Sequence, residues 1–253
     1  MTIAALVTAA GVLAMPAVMK SGTAQKEEVA EDNLQDAGVT VTAQDMAVLE
    51  ELGGLGHRID SLDAFDVTGS IQTTDPADPS GPQKVDFRYC RQGTRLYYKL
   101  GKQETIVSED GMLLVDHHAE KMFLMPSKDA ETPGILPSGK QIAGFFAEEG
   151  YKIARRKRAG LQWIELERPN HATMKVYRVG YDNARFVREV YMRLTDLSDP
   201  FNTEKDQVIH ATVDKWSISD PAAELFDARR YISRKGTRFV PVEPYKHFAF
   251  IQP

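Results

Sequence analysis

The run Asp116-His117-His118-Ala119-Glu120 is the stretch of this chain whose side chains could most readily do chemistry. Carboxylate and imidazole groups are zinc ligands, and the thiol of Cys90 could join them. Neighbouring histidines at a strand end point to opposite sides of the strand, however, which suits one ion poorly. The run therefore predicts a solvated turn. The alternative is a metallo-hydrolase, which requires His117 and His118 to converge with a carboxylate.

Other catalytic signatures are missing from the sequence. It contains no G-x-S-x-G, H-E-x-x-H, P-loop or paired-glycine nucleotide motif. Serine nucleophiles such as Ser108 are present, but nothing in the sequence places a histidine and an acid beside them. We therefore predict that the protein is not an enzyme and that it uses no metal or cofactor.

Composition narrows the class of protein further. The chain has 253 residues, 9% aromatic and 26% charged, which is typical of a globular protein with a sizeable core. Its formal charge of −5 argues against nucleic acid as a partner, because nucleic-acid binding needs clustered positive charge. A single cysteine, Cys90, excludes an internal disulfide.

The amino-terminal segment has the pattern of an export signal. An apolar run from Met1 to Met19 is followed by the small residues Gly22 and Ala24, at the spacing of a cleavage site. We predict a signal peptide over residues 1–24, cleaved near Ala24, and a periplasmic mature protein. An uncleaved membrane anchor is the alternative. Residues 25–41 are predicted to be a flexible acidic lead-in, and residues 42–253 a single domain.

Short β-prone runs fill the stretch from Val85 to Met125 and predict an antiparallel meander. Glu109-Asp110-Gly111 supplies residues that tolerate positive φ, so a hairpin is predicted there. Thr42 is a candidate N-cap for a helix through Leu52, and a second helix is predicted over Gly139–Glu148. Five further strands are predicted at Tyr151–Arg158, Leu161–Arg168, Ala172–Val179, Arg185–Thr195 and Gln207–Ile218, with Gly180 to Asn183 as a turn.

These elements resemble those of the LolA-like family, the periplasmic carriers of outer-membrane lipoproteins and their relatives. The family signature is an aromatic-x-aromatic strand, a V-S-D-G hairpin and an apolar strand. It is matched by F-R-Y at Phe87 to Tyr89 and by I-V-S-E-D-G-M-L-L-V-D at Ile106 to Asp116, with Glu109 inserted. The Arg-Pro pair that precedes this signature in the lipoprotein carrier is replaced here by Gln83-Lys84.

The resemblance implies a mainly β fold with short helices. The family fold is a half-open, strongly curved antiparallel β-barrel with helices across its open side and an apolar face that takes acyl chains. The implied function is a non-enzymatic carrier for lipoprotein acyl chains or another lipid. The implied lining of the hydrophobic cavity comes from the meander and the second helix: Val85, Phe87, Tyr89, Leu96, Tyr98, Leu100, Met112, Leu114, Ile142, Phe145 and Phe146.

An alternative function is an envelope structural or interaction protein that fills this cavity with its own side chains. For the carrier, we predict a monomer that exchanges its ligand with an inner- or outer-membrane partner protein. The basic run Arg155 to Arg158 is predicted to be a solvated hairpin, with charges divided between two faces. Contact with anionic headgroups is the other interpretation of this run.

Overall fold

The computed structural model describes residues 41–126, 146 and 148–252. These residues contain one α-helix, α1 (Ala43–Asp60), four short 3-10 turns and fourteen strands. The strands of the first half are β1 (Ala64–Thr74), β2 (Gln83–Gln92), β3 (Arg95–Leu100), β4 (Gln103–Ser108), β5 (Gly111–Asp116) and β6 (Lys121–Met125). Those of the second half are β7 (Lys152–Arg158), β8 (Leu161–Glu167), β9 (Met174–Tyr181), β10 (Val187–Leu194), β11 (Gln207–Ser217), β12 (Ile232–Lys235), β13 (Arg238–Pro241) and β14 (Ala249–Ile251).

Hydrogen bonds connect twelve of these strands in the order β14-β6-β5-β4-β3-β2-β1-β11-β10-β9-β8-β7, and β12 and β13 form a separate hairpin. The edge strands β14 and β7 are not paired with each other in the part of the chain that the structure describes. The large antiparallel sheet is therefore confirmed, and it does not close into a barrel. One pair departs from the prediction, because β14 runs parallel to β6.

The described residues divide into two compact units. Unit 1 comprises residues 41–61, 71–84, 146 and 148–212, and unit 2 comprises residues 62–70, 85–126 and 213–252. The single domain over residues 42–253 stays a prediction. No helix in the described ranges has the length and apolar character needed to cross a membrane.

Helix α1 belongs to unit 1 and begins where the sequence predicts. The Thr42 hydroxyl accepts a hydrogen bond from the Asp45 backbone N–H (3.1 Å), and the Asp45 carboxylate accepts one from the Thr42 N–H (2.9 Å). This reciprocal capping box satisfies backbone donors that the first turn leaves without partners. The apolar residues of α1 recur three to four positions apart and are buried: Val48, Leu49, Leu52, Leu55 and Ile59.

Helix α1 is longer than the helix through Leu52 that the sequence predicts, because it continues through Gly53, Gly54 and Gly56 to Asp60. Gly53 and Gly56 are themselves buried. An isolated helix loses about 1 kcal/mol for each glycine relative to alanine, but tertiary packing outweighs that cost when the helix face is buried. Residues without side chains allow the neighbouring structure to approach the helix backbone closely.

Contacts of α1 with the sheet of unit 1 are both polar and aromatic. The Glu51 carboxylate accepts hydrogen bonds from the Arg155 guanidinium on β7 and the Tyr181 hydroxyl on β9. The Arg58 guanidinium lies 4.7 Å from the centre of the Phe186 ring. These contacts attach the middle and the carboxyl-terminal end of the helix to the rest of unit 1. The wider prediction of helices across an open side of a barrel stays a prediction, since most of Gly139–Glu148 lies outside the described residues.

Strand β9 includes Gly180 and Tyr181, so the turn predicted to begin at Gly180 starts later in the chain. Trp163 on β8 explains this difference. A Cβ atom at Gly180 would come within 2.9–3.0 Å of the Trp163 ring, so the missing side chain makes room for the indole. A glycine that marks a turn in the sequence here serves close cross-strand packing instead.

In unit 2, strands β2 to β6 form the predicted meander. Each strand pairs antiparallel with the next, and Ser108 pairs with Gly111 across the two-residue turn Glu109-Asp110. Gly111 has φ of 129°, which confirms the predicted hairpin position. This turn fixes the register of β4 and β5, and the register decides which side chains share a face.

Candidate functional site

The cross-strand registers of unit 2, together with the alternation of side chains along β2, place eight of the predicted cavity residues on one face of the sheet. Phe87 lies opposite Leu100, Tyr89 opposite Tyr98, and the pairing continues through β4 to β5 and β6. We call this the half-buried face and define it by its members on β2 to β6: Val85, Phe87, Tyr89, Arg91, Leu96, Tyr98, Leu100, Gln103, Thr105, Val107, Met112, Leu114, Asp116, Lys121, Phe123 and Met125.

The half-buried face is ordered in three rows that cross the strands. The first row contains Phe87, Leu100, Gln103, Asp116 and Lys121. The second row contains Tyr89, Tyr98, Thr105, Leu114 and Phe123, and the third contains Arg91, Leu96, Val107, Met112 and Met125. Across β4 to β6 the first row is therefore polar and the third is apolar.

The apolar side chains of the half-buried face are more deeply buried on β2 and β3 than on β4 to β6. Phe87, Tyr89, Leu96 and Leu100 on β2 and β3 are buried, with 3–7% of their surface exposed. Phe65 on β1 contributes to that burial, since its ring centre lies 5.3 Å from that of Tyr89. On β4 to β6 the apolar members of the face are only partly buried: Val107, Met112, Leu114, Phe123 and Met125.

Among the alternate side chains of the same strands, eight are buried and form what we call the packed face. Its members on β2 to β6 are Cys90, Tyr97, Glu104, Ile106, Leu113, Val115, Met122 and Leu124, each 0–9% exposed. The covering segment lies later in the chain and contributes Phe226, Ala228, Tyr231, Ile232 and Phe248. Burial raises the pKa of the Cys90 thiol to about 12, so this thiol stays protonated at neutral pH.

Glu104 is the charged centre of the packed face. Its carboxylate accepts hydrogen bonds from the hydroxyls of Tyr97 (3.0 Å) and Tyr231 (2.9 Å). Lys99 Nζ and His117 Nε2 lie 3.6 and 3.3 Å from Glu104 Oε1. Burial opposes ionisation of Glu104, but the hydrogen bonds from the two hydroxyls and the charges of Lys99 and Arg230 keep its pKa below the ordinary value. The group therefore stabilises the fold as a carboxylate.

The residues that could have held a metal do not form one site. His117 belongs to the packed face, where its ring centre lies 5.9–6.0 Å from those of Tyr231, Tyr245 and Phe248. His118 is exposed, and its backbone N–H donates to Asp116 Oδ1 (2.9 Å) as part of the β5–β6 turn. Within the described ranges, no three metal-ligating side chains form a group.

Phe146 is the only member of the predicted second-helix set among the described residues, since Ile142 and Phe145 lie outside them. It belongs to unit 1, where it is 0% exposed. Its ring is stacked on Tyr177, with centres 5.8 Å apart, and lies edge-on to Tyr151 at 5.0 Å. In this unit Phe146 is a core residue, and its place at a cavity mouth stays a prediction.

The basic run on β7 is divided between two faces, as predicted. Arg155 contacts Glu51 of α1, while Arg156 and Arg158 contact the Glu165 carboxylate at 3.0 and 3.3 Å. The Arg158 guanidinium also lies 4.1 Å from the centre of the Trp163 ring. Three of the four cations therefore have partners within unit 1.

Sequence reasoning missed eight members of the half-buried face, among them Thr105, Val107, Phe123 and Met125. The run from Met122 to Met125 is apolar at every position, so alternation does not show which side chains share the face of Leu114. Only the β5–β6 register, with Leu114 opposite Phe123, settles the question. In β4, Thr105 and Val107 alternate with Glu104 and Ile106. Each side of the strand therefore carries one polar and one apolar residue, and the pattern does not show which side belongs to the face of Leu114.

Comparison with known proteins gives structural neighbours only. No protein-family model and no curated protein matches the sequence. A LolA superfamily protein from Nitrosomonas europaea is similar over 75% of this chain and 99% of its own, at 11% identity and a TM-score of 0.34. An outer membrane lipoprotein-sorting protein domain from Vibrio parahaemolyticus covers 74% and 98%, at 10% identity and a TM-score of 0.33. LprF from Mycobacterium bovis covers 73% and 100%, at 11% identity and a TM-score of 0.36.

Proposed function

We propose that this protein binds and carries a hydrophobic ligand, either the acyl chains of a lipoprotein or another lipid, without catalysis. The observation that supports this proposal is the half-buried face of unit 2. On the packed face every apolar side chain of β4 to β6 is buried, whereas on the half-buried face those of the same strands keep access to solvent. A ligand that covers them would complete their burial.

Burial of apolar surface would supply the free energy for such binding. Removing apolar surface from water contributes roughly 25 cal/mol for each Å². Met112 and Met125 lie opposite each other across β5 and β6. Methionine side chains are unbranched and flexible, so they adapt to chains of varied shape. An apolar surface of this kind suits acyl chains better than a ligand that needs directional contacts.

The envelope is the location that fits this function. The LolA-like signature around the β4–β5 hairpin and the apolar run at Met1 to Met19 both support export to the periplasm. In this proposal the carrier is a monomer that receives and delivers its ligand at membrane partner proteins. The single domain over residues 42–253 belongs to the same proposal.

An environment-sensitive fatty-acid probe tests the function directly. The purified protein should bind the probe, and long-chain lipids should displace it. Leu114→Glu places a charge on the half-buried face, where the carboxylate still reaches water, so probe binding should fall by more than about tenfold while the melting temperature is retained. Thr237→Glu adds the same charge at an exposed position of the β12–β13 turn and should change neither measurement.

The alternative is a structural protein whose own side chains fill the face. The buried positions on β2 and β3, with Phe65 against Tyr89, are the observation that favours it. Absence of probe binding by the wild type, together with unfolding of the Leu114→Glu variant, would support this alternative and reject the carrier.

A further inference from the structure

The side chain of Tyr98 has an unusual position at the centre of the half-buried face. It occupies the second row, opposite Tyr89 on β2 and Thr105 on β4. Its ring packs edge-on against that of Tyr89, with centres 6.1 Å apart. The hydroxyl is buried, and no hydrogen-bond partner for it occurs in the part of the chain that the structure describes.

Two buried tyrosines of unit 2, Tyr97 and Tyr231, have hydroxyls with partners. The hydroxyls of Tyr97 and Tyr231 both donate to the Glu104 carboxylate on the packed face. Tyr97 and Tyr98 are neighbours on one strand, yet among the described residues only the hydroxyl of Tyr97 has a hydrogen-bond partner. A buried hydroxyl without a partner is rare in proteins because it gives up its hydrogen bonds to water without replacement. Phenylalanine would fill the same space without that penalty, so the hydroxyl itself needs an explanation.

The polarity of the face on strands β4 to β6, beside Tyr98 on β3, offers an explanation for the hydroxyl. In the first row, Gln103 Nε2 donates to Asp116 Oδ2 (2.9 Å), and Asp116 lies opposite Lys121. In the third row, Val107, Met112 and Met125 are all apolar. Tyr98 lies in the row between these two. A molecule that lies along this gradient would be polar at one end and a hydrocarbon at the other, with its junction at the second row.

We propose that the ligand is an acyl lipid whose carbonyl oxygen accepts a hydrogen bond from the Tyr98 hydroxyl. The headgroup then lies towards Gln103, Asp116 and Lys121, and the hydrocarbon chain towards Met112 and Met125. A carbonyl oxygen is the acceptor that an ester, an amide or a fatty acid carries where its chain begins. This inference rests on the proposed function and adds the chemical class of the ligand and its orientation.

Two fluorescent polyenes test the inference with the full chain. Parinaric acid methyl ester carries an uncharged carbonyl, whereas diphenylhexatriene is a hydrocarbon without an acceptor. The Tyr98→Phe variant should bind the ester about five- to tenfold more weakly, which corresponds to the loss of one neutral hydrogen bond. Its affinity for diphenylhexatriene should be unchanged. The ligand-free variant should melt at the same temperature as the wild type or higher, since an unpaired buried hydroxyl has been removed.

Thr105→Val is the matched control, because it removes the hydroxyl next to Tyr98 in the same row. It should leave ester binding within about twofold of the wild type, since the proposal assigns the hydrogen bond to Tyr98 alone. Equal ester binding by wild type and Tyr98→Phe would overturn the inference and leave the carrier function standing. Equal losses for both probes, or an equal loss in Thr105→Val, would overturn it as well. If neither probe binds the wild type, the carrier function itself is rejected.

Discussion

The two faces of strands β2 to β6 are built from the same backbone but have different surroundings. On the packed face, side chains from Phe226 to Phe248 cover the sheet, and the central carboxylate of Glu104 has hydroxyl and cationic partners. On the half-buried face, the side chains of β4 to β6 are partly exposed and the Tyr98 hydroxyl has no partner among the described residues. The packed face therefore stabilises the fold, and the half-buried face is the surface on which we propose that a ligand binds.

Because side chains alternate along a strand, neighbouring residues can have different roles: one stabilises the fold, and the next is available to a ligand. Leu113 and Leu114 are neighbours on β5, and Leu113 is 1% exposed while Leu114 is partly exposed. Substitution of Leu113 should therefore mainly lower the free energy of unfolding, and substitution of Leu114 should mainly weaken ligand binding. Three experiments test the division, beginning with the largest expected effect.

Leu113→Ala should lower the free energy of unfolding by about 2–5 kcal/mol, because it leaves a cavity in a closed core. Leu114→Ala should lower it by only about 1 kcal/mol, because solvent already reaches that side chain. Denaturant unfolding measures the stability, and the fatty-acid probe measures binding. Leu114→Ala should weaken probe binding more than Leu113→Ala does. Equal losses of stability at the two positions would mean that both faces are closed cores.

Glu104→Gln should lower the free energy of unfolding by about 2 kcal/mol at neutral pH, because it removes a charged acceptor of two hydroxyls. The folded-state pKa of Glu104 lies below its ordinary value of 4.5. Its carboxylate therefore contributes stability that is present above pH 4.5 and is lost as the pH falls through the folded-state pKa. The stability gap between wild type and variant should shrink on acidification below that pH.

Unfolding curves recorded at several pH values between neutral and acid measure this gap. Probe binding at neutral pH should be unchanged in Glu104→Gln, because the group belongs to the packed face. A gap that stays constant in acid would show that the charge of Glu104 does not contribute to the fold. A loss of probe binding in the folded variant would contradict the separation of the two faces.

Gly111→Val should lower the free energy of unfolding by about 1–2 kcal/mol, since a β-branched residue is strained at the positive φ of this position. Gly111→Ala should cost less, and Thr237→Val, at an exposed position, serves as a control. Thermal unfolding measures all three. An unchanged midpoint for Gly111→Val would mean that the turn does not fix the register of β4 and β5. The alignment of Met112 with Val107 and of Leu114 with Thr105 would then fail.

Much of unit 2 could be predicted from the sequence because the signals are local. Val85, Phe87 and Tyr89 alternate with polar residues, and Glu109-Asp110-Gly111 places the hairpin. The β12–β13 hairpin and the parallel β14 were missed, since their stability depends on distant partners. Helix α1 was predicted too short for the same reason, because the burial of Gly53 and Gly56 is a tertiary property.

The site was predictable only where alternation is strict. Met112 and Leu114 share a parity within β5, but their alignment with Tyr98 depends on two registers, those of β3–β4 and β4–β5. Phe123 and Met125 were left out because all positions of their run are apolar. That the Tyr98 hydroxyl has no partner among the described residues has no sequence signal, since a Tyr-Tyr pair does not show which hydroxyl will find an acceptor.

The parallel pairing of β14 with β6 has a consequence for biosynthesis. Ala249 pairs with Lys121, so the open edge of β6 is covered by a segment that the ribosome makes long after the meander. Until then the edge presents free backbone donors and acceptors, which are a template for pairing with other chains. Contacts between residues so far apart in sequence also form slowly. Nascent chains that stall before residue 249 should therefore be the species that most needs a holding chaperone.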